Sequence, residues 1–210
     1  VAVLVFRPLS NNTIMMLFAT VGFGVVGFLD DFIKIVAKRS LGLRAREKLV
    51  AQFGLALLVA LYASARVGTD LIVPFWGKSI ALPTALYIPF STLVLVGAAN
   101  AVNLTDGLDG LAAGSTAISA SALGLTVYLF GYHDLTLFSG AVVGACLGFS
   151  WFNAPPAQVF MGDTGSLALG AALATAAILS KTSLVLPIIG GLYVVETLSV
   201  ILQVLYFRAT

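Results

Sequence analysis

The sequence predicts an all-α fold, a polytopic bundle of transmembrane helices, and three observations predict it. Hydrophobic residues make up 60% of the 210-residue chain and charged residues only 10%, against about 25% charged in soluble domains. The mean hydropathy is +1.05. Seven apolar runs bounded by charged or turn residues approach the length needed to cross a bilayer, about 17–25 residues. These features exclude a soluble enzyme, a nucleic-acid-binding protein and a disordered chain. The net charge of +2 makes no case for a polyanionic partner, and the environment implied is the lipid bilayer.

The runs follow in order. The first, 13–29, stops at Asp30-Asp31. The second, 49–65, lies between Lys48 and Arg66. The third, 84–99, starts after Pro83 and ends at Asn100. The fourth, 111–131, follows Gly110, and the fifth, 135–152, follows Asp134 and ends before Pro155-Pro156. The sixth, 167–180, is the shortest. The seventh, 184–207, contains Glu196, a carboxylate that costs several kcal/mol at mid-membrane. It therefore needs a cavity, a partner, or a helix broken near Pro187 or Gly190-Gly191. Small residues such as Gly22, Gly24, Gly140, Gly144, Gly148 and Gly170 suit close helix packing in lipid. No repeat or Pro/Ser-rich linker divides the chain, so residues 1–210 read as one domain. The chain opens on Val1 without a signal-peptide layout and reads as an excerpt of a longer one. Cys146, the single cysteine, reads as a buried packing thiol.

Charge placement sets the orientation. Lys34, Lys38, Arg39, Arg44, Arg46 and Lys48 fall in the loop 30–48, whereas the opposite loops carry Arg66, Lys78 and Lys181. Positive residues favour the cytoplasmic side, so 30–48 is assigned there. Alternation then brings 100–110, 153–166 and Arg208 to the same face. Asp30, Asp31, Glu47, Asp106, Asp109 and Asp163 thus share the cytoplasmic side of the membrane. Only Asp70 and Asp134 lie opposite. His133, the only histidine, is a solvated turn residue on that far side, so neither a histidine zinc site nor a Ser-His-Asp triad can be built.

Three constellations carry chemistry. In Phe28-Leu-Asp30-Asp31-Phe-Ile-Lys34, two carboxylates close an apolar helix. A charged helix end accounts for them as well as a site does. Carboxylates at a helix C-terminus are disfavoured by about 0.3–1 kcal/mol each, so Lys34 or a metal ion is expected to balance them. In Asn100-Ala-Val-Asn103-Leu-Thr-Asp106-Gly-Leu-Asp109-Gly110, the density of oxygen ligands suits a hard cation, a sugar or a nucleotide. Asp106 and Asp109 share a face if that stretch is helical. In Asn153-Ala-Pro-Pro-Ala-Gln-Val-Phe160-Met-Gly-Asp163-Thr-Gly-Ser166, a helix start that favours anions carries a carboxylate. Asp163 is the natural place for Mg²⁺ between protein and diphosphate. Thr164 or Ser166 reads as a helix cap.

These three motifs, in this order and spacing, resemble the polyprenyl-phosphate N-acetylhexosamine-1-phosphate transferases. Within that superfamily they are most similar to the phospho-N-acetylmuramoyl-pentapeptide transferase branch, over residues 22 to 207. A related transferase using an N-acetylglucosamine donor is the alternative. The resemblance implies transfer of phospho-MurNAc-pentapeptide from UDP-MurNAc-pentapeptide to undecaprenyl phosphate, yielding lipid I and UMP for peptidoglycan. It also implies Mg²⁺ dependence, action at the cytoplasmic face and a homodimer. Carried over by position, Asp30, Asp31 and Asp163 are catalytic, with Asp163 the metal ligand. Lys34, Lys48, Asn103, Asp106, Asp109, Asn153, Phe160 and Gln203 bind substrate, Phe160 by stacking on the uracil. Family members have more spanning helices than seven, plus two site segments not found in these residues, so the excerpt is expected to be inactive alone.

Two other classes compete. An ion-coupled transporter relays charge through mid-membrane acids, and only Glu196 fits that pattern. A CDP-alcohol phosphotransferase shares an Asp-Gly-x-x-Ala spacing, but Gly110-Leu-Ala-Ala lacks the arginine such enzymes place next.

Overall fold

Helix periodicity and punctuation build the chain into a bundle of long helices joined by short turns. The computed structural model describes residues 10–38 and 42–209. The apolar stub 1–6, Arg7 and Arg39 therefore lie outside the described residues. The elements are α1 (Asn11–Val36), α2 (Ala45–Arg66), β1 (Asp70–Ile72), β2 (Ser79–Ala81), α3 (Thr84–Thr105), α4 (Leu111–Leu129), α5 (His133–Asn153), α6 (Gly162–Leu179), α7 (Leu186–Ile189) and α8 (Gly191–Ala209). Seven of the helices are long and apolar enough to span a membrane. This is a multi-pass membrane protein.

Local chemistry explains the boundaries. Ser10 Oγ accepts the Thr13 amide at 3.1 Å and caps α1, satisfying a donor that the helix start leaves open. Glu47 reaches back to the Arg44 amide at 2.9 Å at the start of α2. Gly110 takes φ 77° ahead of α4, a left-handed turn that glycine adopts without steric penalty. The seventh run is indeed broken. Pro187 lies in the four-residue α7, and α8 starts anew after Gly190.

Two boundaries differ from the sequence reading. Helix α1 continues past Asp30-Asp31 to Val36, because Phe32-Ile33-Lys34-Ile35-Val36 contains no breaker. Its carboxylates therefore stand more than a turn before the helix end, where the dipole penalty has faded. Likewise α3 runs through Asn100 and Asn103 to Thr105, and Asp106 ends it. Asp106 and Asp109 consequently lie in a turn rather than on one helical face.

Helix α6 is the axis of the bundle. Two thirds (67%) of its apolar window is buried, against 6% for α8. It packs on α1 and α3, with the α4–α5 pair alongside. Glycine makes these approaches possible at two positions. A Cβ at Gly27 would collide with the Asp163 carbonyl, and one at Gly170 would stand 2.6 Å from Ala99 Cα. Not every small-residue run packs this way. At Gly140, Gly144 and Gly148, no described atom lies within 4 Å of where a Cβ would sit. That stripe of α5 is exposed rather than a contact within the chain. Cys146 is buried, as expected.

At the end of the bundle opposite Asp163, the sequence suggested only a loop. Instead β1 and β2 form an antiparallel hairpin with Leu71 opposite Ile80. Ile72 N–H donates to the Lys181 carbonyl at 2.8 Å, which ties the α2–α3 connection to the α6–α7 turn. The two connections share one membrane end, as strict alternation of the helices requires.

Candidate active site

Two helices deliver the acidic cluster. Asp30 and Asp31 come from α1, and Asp163 from the first turn of α6. One carboxylate oxygen from each lies within 4.8 Å of the others. Gly27, one turn before Asp30–Asp31, is what lets α1 approach the start of α6 this closely.

Positive groups hold the cluster together. Lys34 Nζ stands 2.6 Å from Asp30 Oδ2, 3.2 Å from Asp31 Oδ1 and 3.3 Å from Asp163 Oδ2. Lys48 Nζ, from the start of α2, reaches Asp163 Oδ2 at 2.6 Å. Asn103 Nδ2 donates at 2.8 Å to both Asp163 Oδ1 and Ser166 Oγ. Asp163 thus faces two ammonium groups and an amide, each from a different helix.

Each remaining carboxylate oxygen has its own task. Asp30 is 4% exposed, and its Oδ1 accepts the Leu43 amide at 2.8 Å, pinning the α1–α2 connection. Asp31 Oδ2 accepts the Thr164 amide at 3.1 Å and the Thr164 hydroxyl at 3.0 Å. A carboxylate from α1 therefore caps the N-terminus of α6, where a negative charge is favoured. Ser166 Oγ donates back to the Gly162 carbonyl at 2.8 Å. Neither Thr164 nor Ser166 is the N-cap itself, because Met161 occupies that position.

The other sequence-named residues surround this core. Burial pushes the Asp106 carboxyl up to about 6, and the charges of Asp163 and Asp31 add to the effect, opposed by a hydrogen bond from the Gly162 amide. Asp109 Oδ2 accepts the Ala157 amide at 2.9 Å. Asn153, 3% exposed, accepts the Gly110 amide at 3.0 Å and donates to the Val159 carbonyl at 2.8 Å. These two side chains tie the 106–110 turn to the Pro-containing loop. Phe160, at the end of that loop, is 75% exposed, its ring open for stacking. Gln203 is not drawn into the cluster. It is exposed on α8, with its amide donating to Ser199 Oγ at 3.0 Å.

One residue escaped the sequence reading. Gln52 is fully buried on α2 and accepts from Asn100 Nδ2 at 2.6 Å. It lies one turn beyond Lys48, while Asn100 lies one turn before Asn103. This amide pair fixes the register between the helices that carry those two side chains. A polar residue inside an apolar span was the signal that could have found it.

An apolar cavity of about 280 Å³ opens between α3, α6, α7 and α8, with Ala101, Val102, Gly170 and Tyr193 in its lining. Its α3 wall ends one residue short of Asn103.

The class is defined by these features. It is a membrane-embedded bundle that concentrates three carboxylates and two lysines at one end, beside an apolar cavity. Residues 13–181 match glycosyl transferase family 4, and the chain belongs to that family. Among its relatives is the phospho-N-acetylmuramoyl-pentapeptide-transferase of Caldanaerobacter subterraneus subsp. tengcongensis, 50% identical over 208 residues, 98% of this chain and 65% of the relative. The protein of the same name from Desulfitobacterium hafniense is 52% identical over 218 residues, 97% of this chain and 64% of the relative. That from Bacillus subtilis is 50% identical over 206 residues, 98% of this chain and 63% of the relative. The chain therefore spans slightly less than two thirds of the length of these relatives.

Proposed function

We propose that the whole protein transfers phospho-MurNAc-pentapeptide from its UDP carrier to undecaprenyl phosphate, giving lipid I and UMP, at the cytoplasmic face of a bacterial membrane. The observation that carries this reading is the convergence of Asp30, Asp31, Lys34, Lys48, Asn103 and Asp163 at one end of the bundle. Relatives at 50–52% identity that bear the name of this activity support it.

Both substrates are anionic phosphates, so positioning and charge neutralisation supply most of the catalysis. In the reaction, an oxygen of the lipid phosphate bonds to the sugar-bearing phosphorus of the donor. The bond from that phosphorus to the bridging oxygen breaks, and the electron pair leaves with UMP. Lys34 and Lys48 offset the negative charge of the reacting phosphates. Asp30 and Asp31 orient the acceptor phosphate. Both are already engaged, Asp30 with Leu43 and Lys34, Asp31 with Thr164, which supports direct attack over a covalent aspartyl intermediate. Phe160 stacks on the uracil, and Asn103, Asp106 and Asp109 face the donor. Asn153 shapes the loop that carries Phe160, and Gln203 contributes from α8. The apolar cavity takes the first isoprene units of the acceptor.

The residues present fit a divalent cation. An all-carboxylate set at this spacing suits a hard ion such as Mg²⁺, with Asp163 as the principal ligand and Asp30 and Asp31 beside it. Such an ion supplies charge neutralisation on the diphosphate and stabilises the departing nucleotide. Lys34 holds the three carboxylates together and would give ground to the ion.

The test is UMP release from UDP-MurNAc-pentapeptide by the full-length protein, with and without undecaprenyl phosphate. Release that depends on the lipid phosphate is expected. Equal turnover of UDP-GlcNAc would favour the N-acetylglucosamine alternative, and absence of release from either donor would sink the proposal.

A further inference from the structure

The hairpin at the far end of the bundle carries a feature that neither the fold nor the active site uses. Its tip is Pro74-Phe75-Trp76-Gly77, closed by the Val73 amide on the Lys78 carbonyl at 2.9 Å. Phe75 is 97% exposed and Trp76 65% exposed. Phe75 also sits at φ 63°, a left-handed conformation that disfavours bulky side chains and that glycine or asparagine would adopt with less strain. The sequence therefore places a large apolar ring where the backbone resists it and where no described part of the chain covers it. Strain without internal compensation points to a contact outside the chain.

The hairpin cannot swing far from the membrane. Leu71 is buried in the core at 3% exposure, Ile72 is bonded to Lys181, and Lys181 Nζ binds Asp70 Oδ2 at 2.8 Å. These pins lay the hairpin against the ends of the spanning helices. Phe75 lies only three residues past Ile72, so it reaches about 10 Å at 3.3 Å per residue. The headgroup layer of each leaflet, about 5–8 Å deep, lies within that reach. Lys78 Nζ stands 5.7 Å from the Trp76 ring, joining a cation to an aromatic pair, as in residues found at membrane interfaces.

We propose that Phe75 and Trp76 insert into the lipid interface on the side opposite Asp163, with Lys78 paired to lipid phosphate. The hairpin then acts as an anchor that sets the height of α2 and α3 in the bilayer. This inference is independent of the catalytic reading.

The experiment uses the protein in nanodiscs containing phosphatidylglycerol, with Trp151→Phe so that Trp76 is the remaining tryptophan of this chain. Blue-shifted Trp76 emission is expected. It should be quenched by lipids brominated near the top of the acyl chain and protected from aqueous iodide. Phe75→Asn, which relieves the backbone, should keep the hairpin folded but weaken the bromolipid quenching. Lys78→Glu should weaken it more in anionic than in zwitterionic discs. Quenching by iodide without quenching by bromolipid would overturn the proposal. Shielding from both quenchers would overturn it too, because it would mean that protein covers the tip.

Discussion

Lys34 shows how much one side chain does at this site. Its ammonium lies within 3.3 Å of all three carboxylates and offsets part of their charge. Lys34→Met should therefore lower the melting temperature in chelator and increase the rise produced by added Mg²⁺ relative to the unsubstituted protein. Equal Mg²⁺-induced shifts in the two proteins would contradict this. Asp106 gives a pH prediction with a definite sign. Its folded-state pKa, about 6, stands above the ordinary 3.8, so between those values the fold holds a proton that the unfolded chain has lost. Ionisation of Asp106 thus removes stability as pH rises through 6. Asp106→Asn keeps an acceptor for the Gly162 amide. It should match the parent's stability near pH 4 and exceed it well above 6, while losing activity. At this scale the sequence was a good guide to chemistry and a poor one to duty. Carboxylates clustered at one membrane face are legible from parity and charge alone. The assignment of one oxygen of Asp31 to cap a helix through Thr164, 133 residues away, is a tertiary fact, and so is the burial of Asn153 as a bracket between two loops. Local spacing contains neither.

Helices carry these residues to one another, and their contacts decide whether the cluster forms. Gly27 faces the start of α6 with no room for a methyl group, and overpacking of such a seam costs about 1–3 kcal/mol. Gly27→Ala should destabilise the protein by about that amount. It should also weaken divalent-cation binding, because it moves Asp31 away from Asp163. A thermal scan paired with a cation titration checks both. Asp31→Ala, which removes the cap on α6, should cost about 1 kcal/mol from the capping loss alone. The sequence placed all seven spans but ended α1 and α3 too early, at the first polar residues. Polar side chains do not stop a helix when a site awaits them, and Asp30, Asn100 and Asn103 are all satisfied within helical backbone. The broken seventh span was legible because Pro187 and Gly190 announce it. The hairpin was not, because three-residue strands leave almost no periodic signal.

The whole molecule is a charge-sorting device. Low charge in an apolar chain identifies a membrane protein, and alternation of the helices gathers the acids at one end, away from Asp70 and Lys181. The bond between Ile72 and Lys181 supports that alternation directly. The remaining question of scale is which side faces the cytoplasm. The basic loop predicts that the cluster end does. With Cys146 replaced by serine, Lys38→Cys should react with an impermeant thiol reagent only in inverted vesicles, and Lys78→Cys only in right-side-out cells. The reverse pattern would place the site outside. The small-residue stripe of α5 was read from the sequence as packing, yet it stands open in this chain. Composition identifies what can pack closely but not against what.

The most direct measurement joins the cluster to the chemistry. Mn²⁺ binding, followed by electron paramagnetic resonance, and UMP release are recorded on the full-length protein and on Asp163→Asn. The account predicts that the substitution abolishes both together, since Asp163 is the carboxylate on which Lys34, Lys48 and Asn103 converge. Undiminished UMP release by Asp163→Asn would contradict it.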